Sequence, residues 1–218
     1  MYRIWRYNPV ALCRRYSHHA FDRRFGVTTR GYSDLRYEPT PAPALAKTLE
    51  ALPVDPSELV FIDIGSGKGK VVLLASTYPF KKVIGVELYE EFHAVAVDNL
   101  ARFPRERRRA ADVVLECVDA AEYQFPPEPS VVYFFNPFAE DILASVLENL
   151  EASMEAHPRP LYVIFYAPIL FRDAPWDRRR LFDRSPRLEI VRAEREFTIY
   201  GAVGSRDFNS SSSSFSGS

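Results

Sequence analysis

From residue 59 onward, short apolar runs alternate with longer segments that carry apolar residues at helical spacing. Short, largely apolar runs are typical of strands buried on both faces of a parallel sheet. The runs predicted as strands cover residues 59–64, 82–88, 112–118, 130–135 and 161–167. The segments between them predict helices over residues 70–78, 89–103 and 139–156. In the last helix, the predicted core-facing stripe consists of Ile142, Leu143, Val146, Leu147 and Leu150.

The end of the chain follows a different pattern. Two strand-like runs, 188–194 and 197–204, are separated by too few residues for a helix, so they are expected to pair as a hairpin. Alternating strands and helices followed by a hairpin predict an α/β fold. We expect a doubly wound, mainly parallel seven-strand sheet with an antiparallel last strand.

Composition divides the chain into three parts. Residues 1–45 are rich in Arg and aromatic residues and form a predicted cap or lid, with prolines at positions 39, 41 and 43. Residues 46–206 form the predicted ligand-binding domain. Residues 207–218 are a Ser-rich tail that has too little apolar surface to fold and is predicted to be disordered.

Charge is distributed unevenly along the 218 residues. The net charge of −1 argues against indiscriminate binding to nucleic acid, yet residues 1–36 carry eight Arg against two Asp, a net charge of +6. This basic arm either meets an anionic partner, including nucleic acid, or docks on the acidic remainder.

In residues 18–32, aromatics between arginines suit either base stacking or burial against the body. The arginines at 107–109 predict a solvated loop or a phosphate contact.

The few cysteines and the absence of a long apolar run bear on the protein's environment. Two cysteines in 218 residues favour a reducing, cytoplasmic environment. No apolar run approaches the roughly 20 residues needed to span a membrane. The spacing of Cys13, His18 and His19 matches no familiar metal site, so no metal is expected.

A glycine-rich turn follows the first predicted strand in the segment FIDIGSGKGK. Gly65, Gly67 and Gly69 permit positive φ and close approach of a ligand to the backbone. The dinucleotide fingerprint needs a further glycine at 70 or 72, where the chain has Lys and Val. The phosphate-binding P-loop needs Ser or Thr after its lysine, where the chain has Val71. Neither phosphate-binding motif is therefore present.

Acidic residues stand at the ends of three successive predicted strands. Asp63 precedes the glycines, where a carboxylate repels a pyrophosphate but suits the ammonium and sulfonium groups of S-adenosylmethionine. Glu87 ends the second strand and is positioned to accept both ribose hydroxyls. Asp119 follows the third strand and is positioned to accept from the adenine amino group. The alternative, strongest for Asp119, is that these acids are solvated loop residues.

The run DIGSGKGK, with VIGVEL, VDAAEY and FFNPF after it, resembles class I S-adenosylmethionine-dependent methyltransferases. Residues 37–140 more narrowly resemble bacterial relatives of the non-SET histone lysine methyltransferases. The resemblance implies that S-adenosylmethionine is the cofactor and that Tyr37 lies across it. The implied cofactor-binding residues are Asp63, Gly65, Gly67, Gly69, Glu87, Asp119 and Asn136.

Asn136, Pro137 and Phe138 depart from both motifs known after the fourth strand of such enzymes. The histone enzymes have Asn-Asn-Phe and the amino-methyltransferases have [DN]-P-P-[YF]. The side-chain oxygen of Asn136 could accept a hydrogen bond from an N–H of the methyl acceptor. Asn136 and Tyr37 are the best-placed polar groups and are therefore the catalytic candidates. Alternatively, Asn136 caps the following helix and Pro137 occupies its first turn.

These features predict in-line methyl transfer, favouring nitrogen in a protein or amine. The alternatives are a nucleic-acid or small-molecule methyltransferase and a catalytically silent cofactor-binding module.

Overall fold

A computed structural model of the chain describes residues 20–29, 40–135, 139–167 and 178–203. Within these residues lies a seven-stranded sheet with the strand order β3-β2-β1-β4-β5-β7-β6. The strands are β1 (Val60–Ile64), β2 (Lys82–Glu87), β3 (Val113–Cys117), β4 (Ser130–Phe135), β5 (Leu161–Tyr166), β6 (Leu188–Ala193) and β7 (Phe197–Ala202). The α/β fold predicted from the sequence is confirmed.

The first five strands are parallel, and β1 lies between β2 and β4. Alternate residues of β1 face opposite sides of the sheet, as the pleat requires. Ile62 and Ile64 join one apolar cluster with the long helix that follows β4, whereas Phe61 joins a second cluster on the other face. Burial on both faces explains why these strands are almost continuously apolar in sequence.

Helices cover both faces of the sheet. They are α1 (Ala42–Glu50), α2 (Lys70–Ala75), α3 (Glu90–Arg102), α4 (Glu140–Ala156) and α5 (Arg179–Asp183). The predicted stripe of α4 is buried at Leu143, Val146 and Leu150, but the prediction for Ile142 was wrong, since it is 41% exposed. At about 100° per residue, Ile142 lies roughly a quarter-turn from the centre of the stripe.

The terminal hairpin enters the sheet by its second strand. β7 is antiparallel to both β5 and β6, so the last strand of the chain is antiparallel as predicted. However, β7 lies between β5 and β6, and β6 forms the edge. The apolar sequence of β7 accounts for this order, because all six of its residues are buried whereas β6 is mostly exposed or half-buried.

Parts of the predicted N-terminal cap are described. Residues 20–25 are helical, and Phe21 and Val27 pack with Leu73 and Phe103. α1 begins at Ala42, before the predicted domain boundary at residue 45, and the domain limits remain a prediction. Residues 1–19, 30–39 and 204–218 lie outside the described residues, and with them the predicted Ser-rich tail. Across the part of the chain that is described, no helix is both long and apolar enough to cross a membrane.

Substitution of Gly85 tests how tightly β2 packs beside the site. A Cβ atom there would lie 2.7 Å from Val72 Cγ2, 2.9 Å from Leu115 Cδ2 and 3.0 Å from Ser66 Oγ. We expect Gly85→Ala to lower the free energy of unfolding by about 1–3 kcal/mol through overpacking. The matched control is Val97→Ala on the exposed face of α3, expected within about 0.5 kcal/mol of wild type in denaturant unfolding. Equal stability of the two variants would contradict this account of the packing.

Candidate active site

The site is built at the carboxyl ends of β1 and β2. Asp63 is paired in register with Gly85 on one side and Tyr133 on the other. Two residues beyond Gly85 along β2, Glu87 faces the same side of the sheet as Asp63, by the alternation of the pleat. Both carboxyl groups are buried, and Asp63 is only 3% exposed. The sheet register therefore brings together two acids that lie 24 positions apart in the chain.

The electrostatics of this acid pair are unfavourable for two negative charges. Burial raises the pKa of the Asp63 carboxyl well above its ordinary value, and the nearby charge of Glu87 raises it further. A cation placed beside Asp63 would favour the ionised form and offset both effects. The pair is therefore a favourable position for a positively charged ligand group.

The three predicted glycines lie in one tight loop between β1 and α2. Gly65, Gly67 and Gly69 have φ values of 78°, 54° and 77°, which is left-handed backbone that glycine adopts without strain. The amides of Gly65 and Ser66 both donate to the carbonyl of Val86, at 2.9 Å. Gly65 is exposed, whereas residues 66–70 are buried. The loop thus presents its first glycine to solvent at the end of the sheet.

Glu87 holds the glycine loop directly. Its Oε2 accepts from the Gly67 amide at 2.7 Å, and its Oε1 accepts from the Tyr89 amide at 2.9 Å. A carboxylate has about four acceptor positions, so each oxygen retains capacity for a ligand hydroxyl. Glu87 therefore organises the loop as well as being available to a ligand.

Ser66 leaves a buried polar atom in this loop. The residue is buried, and its Oγ has no hydrogen-bond partner within the described ranges. A buried hydroxyl without a partner is destabilising, so a ligand or water would be expected to satisfy it. On the other side of the loop, a Cβ at Gly69 would lie 3.1 Å from Ala96 Cβ, so α3 packs closely against the loop.

Asn99 is a structural residue of the site that the sequence analysis did not identify. Its Nδ2 donates to the carbonyls of Lys68 and Thr28, both at 2.9 Å, and its Oδ1 accepts from the Thr28 amide at 2.7 Å. The side chain is fully buried on α3. It joins the glycine loop to the N-terminal segment 20–29. The sequence signal was a single Asn among the apolar residues of the inner face of this helix.

The N-terminal segment is also anchored by charged groups beneath the loop. Asp22 is buried, and its Oδ1 accepts from the Thr29 hydroxyl at 2.6 Å and from the Thr29 amide at 3.2 Å. The Lys70 Nζ lies 5.3 Å from the centre of the Phe21 ring. Burial lowers the pKa of Lys70 to about 8, and the charge of Asp22 opposes that change. Residues 20–29 are therefore part of the folded body behind the loop.

Asp119 lies beyond the end of β3, next to the end of β2, where the Val118 amide donates to the Glu87 carbonyl at 3.1 Å. Its Oδ1 accepts from the Ala121 amide at 2.9 Å, which forms a local turn. The side chain is half-buried and its other oxygen is available. Two apolar side chains nearby are exposed, Leu88 at 52% and Tyr89 at 60%. A flat, partly polar ligand could cover both.

The two predicted catalytic residues, Tyr37 and Asn136, lie outside the described residues. Thr40 and Tyr133 are described, and each lies three positions from one of these residues in the sequence. Tyr133 is on β4, in register with Asp63. Tyr133 is fully buried, and its hydroxyl shares a hydrogen bond of 3.1 Å with the Thr40 hydroxyl. Burial raises the pKa of the Tyr133 phenol well above its ordinary value, so this group remains protonated. The Thr40 contact therefore anchors the end of the predicted cap at the strand next to Asp63.

The described residues contain no group of three or more His, Cys, Asp or Glu arranged to hold a metal ion.

Comparisons with known proteins give matches only among solved structures. No family model matches the chain, and no curated protein matches it. The chain is similar to the ribosomal protein L11 methylase from Lactobacillus delbrueckii subsp. bulgaricus, with a TM-score of 0.51 and 19% identity over 80% of this chain and 84% of that chain. The precorrin-6y C5,15-methyltransferase from Geobacter metallireducens GS-15 gives a TM-score of 0.52 and 18% identity, over 78% of this chain and 92% of that chain.

A third similar structure is a SAM-dependent methyltransferase from Aquifex aeolicus, with a TM-score of 0.50 and 17% identity over 72% of this chain and 88% of that chain. Identities this low bear on the fold alone. The seven-strand sheet with its inserted antiparallel strand is thus the Rossmann-like fold found in methyltransferases.

Proposed function

We propose that this protein is an S-adenosylmethionine-dependent methyltransferase. The observation that carries the proposal is the buried acid pair, Asp63 and Glu87, beside a left-handed glycine loop at the carboxyl end of a parallel sheet. In open α/β sheets, ligands bind at this end of the strands. A buried acid with a raised pKa in such a position is characteristic of a functional site.

The residues present fit the proposed cofactor. Asp63 would accept a hydrogen bond from the ammonium group. This positive charge would offset the cost of ionising the buried carboxyl. Glu87 would accept from the ribose hydroxyls with the acceptor positions that its bonds to Gly67 and Tyr89 leave available. Asp119 would accept from the adenine amino group, and the exposed Leu88 would cover the ring.

The protein's contribution to the reaction is mainly positional. When bound, the cofactor supplies a methyl group on a sulfonium that is already activated. The chain therefore has to hold donor and acceptor in line and exclude water. Gly65 and Gly67 bring the backbone close to the donor, and Glu87 keeps the loop in that conformation. We assign Tyr37 and Asn136 to the acceptor side, where the Asn oxygen would accept from an acceptor N–H.

The preferred acceptor is a nitrogen in a protein or amine, as the sequence resemblance to relatives of the non-SET histone lysine methyltransferases implies. The printed names of the similar structures refer to different acceptors, a ribosomal protein and a precorrin. Fold similarity therefore does not choose among acceptors. A nucleic-acid or small-molecule acceptor, and a catalytically silent module, are the alternatives. We expect the protein to work in a reducing, cytoplasmic environment, consistent with an exposed free thiol at Cys117.

Transfer of methyl-labelled S-adenosylmethionine into a fractionated cell extract tests the activity. We expect the label to enter the protein or amine pool with wild-type protein and with Asp141→Asn, which removes an exposed acid on α4. Asp63→Asn should reduce the label by about 10- to 100-fold when the cofactor concentration is below its Kd. Label in the nucleic-acid pool would overturn the preferred acceptor. If protein that binds the cofactor labels no pool, the silent-module alternative replaces the proposed activity.

Asp63→Asn separates binding from stability. The variant cannot form the salt bridge to the cofactor ammonium group, so calorimetry should show about 10- to 100-fold weaker cofactor binding. The pKa of Asp63 is higher in the folded state than in the unfolded state. The unliganded protein therefore loses stability as the pH rises from the unfolded-state pKa through the folded-state pKa. The variant should therefore have a higher Tm than wild type without cofactor at neutral pH. The difference should shrink below about pH 4.

Asp141→Asn is again the control: it should leave cofactor affinity unchanged and lower the Tm slightly, because Asp141 lies in the first turn of α4. A lower Tm for Asp63→Asn at neutral pH would contradict the assigned cost of burying this carboxylate. Unchanged cofactor affinity would contradict its role in the site.

Asn99→Leu tests whether the glycine loop depends on the buried amide. The change leaves the buried Lys68 carbonyl without its partner, at about 1–3 kcal/mol, and removes the two bonds to the backbone of the exposed Thr28, which water can replace. We expect lower stability and weaker cofactor binding together. Amide hydrogen exchange should show lost protection at residues 27–29 and 67–69 before the rest of the sheet.

Asn149→Leu is the matched control, since Asn149 lies on α4 and its Nδ2 donates to the carbonyl of Tyr123, in the segment between β3 and β4. It should lower stability without selective loss of protection at the loop. Equal effects of the two variants on cofactor binding would contradict a specific role for Asn99.

A further inference from the structure

Five exposed arginines lie on two segments of the chain that meet at the Phe25 ring, over which Arg24 and Arg107 are both stacked. The N-terminal segment contributes Arg23 and Arg24, and the loop after α3 contributes Arg105, Arg107 and Arg109. We refer to these five residues as the arginine surface. It is separate from the acid pair and has no role in the proposed chemistry.

Aromatic packing holds the two parts together. The ring of Phe25 lies 5.0 Å from that of Phe103 at the end of α3. The guanidiniums of Arg24 and Arg107 lie 5.2 Å and 5.4 Å from the centre of the Phe25 ring. A guanidinium stacked on an aromatic ring keeps its N–H edges available for an anion. Docking of the basic arm on the body and contact with an anionic partner were alternatives from the sequence, and this geometry is compatible with both.

The loop that carries the second part is fixed by its own hydrogen bonds. The amides of Arg109 and Ala110 donate to the Ser76 carbonyl at the end of α2, at 2.7 Å and 3.1 Å. Arg108 is half-buried and donates to the carbonyls of Leu100 and Phe103 at the end of α3. The loop backbone is therefore held in place, and its arginines are presented on a defined surface.

The positive charge of this surface is not neutralised within the described ranges. None of the five guanidiniums is paired there with a carboxylate, whereas the neighbouring Arg102 is paired with Asp98 at 2.8 Å. Glu106 is exposed within the same loop and reduces the net charge by one. In a protein with a net charge of −1, such a concentration of like charge indicates an anionic partner.

We infer that the arginine surface binds the phosphate backbone of a nucleic acid. Guanidinium groups match phosphate oxygens with paired hydrogen bonds. The core of a protein–protein interface is usually apolar and rich in aromatic residues. Within the described residues 20–29 and 104–110, Phe25 lies beneath guanidiniums and no large apolar side chain is exposed. A nucleic acid requires no such core, because phosphate contacts supply most of its affinity.

The loop that carries Arg105, Arg107 and Arg109 lies at the amino end of β2, since the Ala111 amide donates to the Phe80 carbonyl, whereas the acid pair lies at the carboxyl ends of β1 and β2. α2 spans this separation, with a rise of about 10 Å from Gly69 to Ser76, the anchor of the Arg109 loop. A nucleic acid bound there would hold the protein near its acceptor, whether the acceptor is the nucleic acid or a protein bound to it. The inference concerns binding and is independent of the proposed methyl transfer.

Fluorescence anisotropy with the full-length protein tests this inference. The probes are a labelled single-stranded RNA and a labelled DNA duplex of about 20 nucleotides or base pairs, and labelled poly-glutamate of similar length, over a range of salt concentrations. We expect binding to at least one nucleic acid that weakens as salt rises, and weaker binding to poly-glutamate. A labelled single-stranded DNA of the same length is included, so that the effect of strandedness is separated from that of the sugar.

Two double variants locate the binding. Arg24→Gln with Arg107→Gln removes the pair at Phe25, and Arg105→Gln with Arg109→Gln leaves the Phe25 contacts intact if the first variant proves unstable. Each should weaken nucleic-acid binding roughly tenfold at low salt and lower the slope of log Kd against log salt by about one to two units. Cofactor affinity should be unchanged.

The control is Arg187→Gln with Arg192→Gln, which removes the same charge from arginines paired with Glu155 and Glu194. It should keep wild-type affinity for nucleic acid. Equal weakening by the control, no nucleic-acid binding at low salt, or tighter binding to poly-glutamate would each overturn the inference. Folding of each variant is checked by its Tm.

Discussion

Burial of the Asp63 carboxyl is the constraint on which the arrangement of the site depends. β1 is buried on both faces, so an acid at its fourth position has little access to water. Desolvation and the adjacent Glu87 both raise its pKa, which makes the ionised form unfavourable in the absence of a cation. Proteins retain such groups where a ligand offsets their cost, and this is the physical basis for proposing a positively charged cofactor.

Around Asp63, side chains complete the hydrogen bonding of the glycine loop. The Gly65 and Ser66 amides bond the Val86 carbonyl and the Gly69 amide bonds the Ser66 carbonyl, but other polar groups of the loop backbone need side-chain partners. Glu87 accepts from the Gly67 amide, and Asn99 donates to the Lys68 carbonyl. Because Asn99 also holds Thr28, the cofactor loop and the N-terminal segment share one buried amide. A ligand that orders the loop would therefore favour docking of the segment, and the converse follows by linkage.

The N-terminal segment thus has two faces with different roles. Its inner face packs Phe21 and Val27 onto α2 and α3, where Asp22 caps the turn at Thr29. Its outer face presents arginines to solvent beside those of the loop after α3. Docking on the body and contact with an anionic partner are therefore compatible, because burial of the aromatics is what brings the arginines together. The net charge of the whole chain conceals this local concentration.

The sequence by itself determined the strands, most of the helices and the positions of the acids and glycines relative to the strand ends. These features depend on short-range rules, namely residue periodicity and turn chemistry, which act within a few residues. The prediction for Ile142 was wrong, because this residue lies about a quarter-turn from the centre of the buried stripe, where the side chain reaches solvent. Only the tertiary structure decided the insertion of β7 beside β5, the contact of Thr40 with Tyr133, the bonds of Asn99 and the meeting of the two arginine groups. Each of these joins residues far apart in the chain, and their pairing is set by sheet register and side-chain packing, which no local pattern encodes.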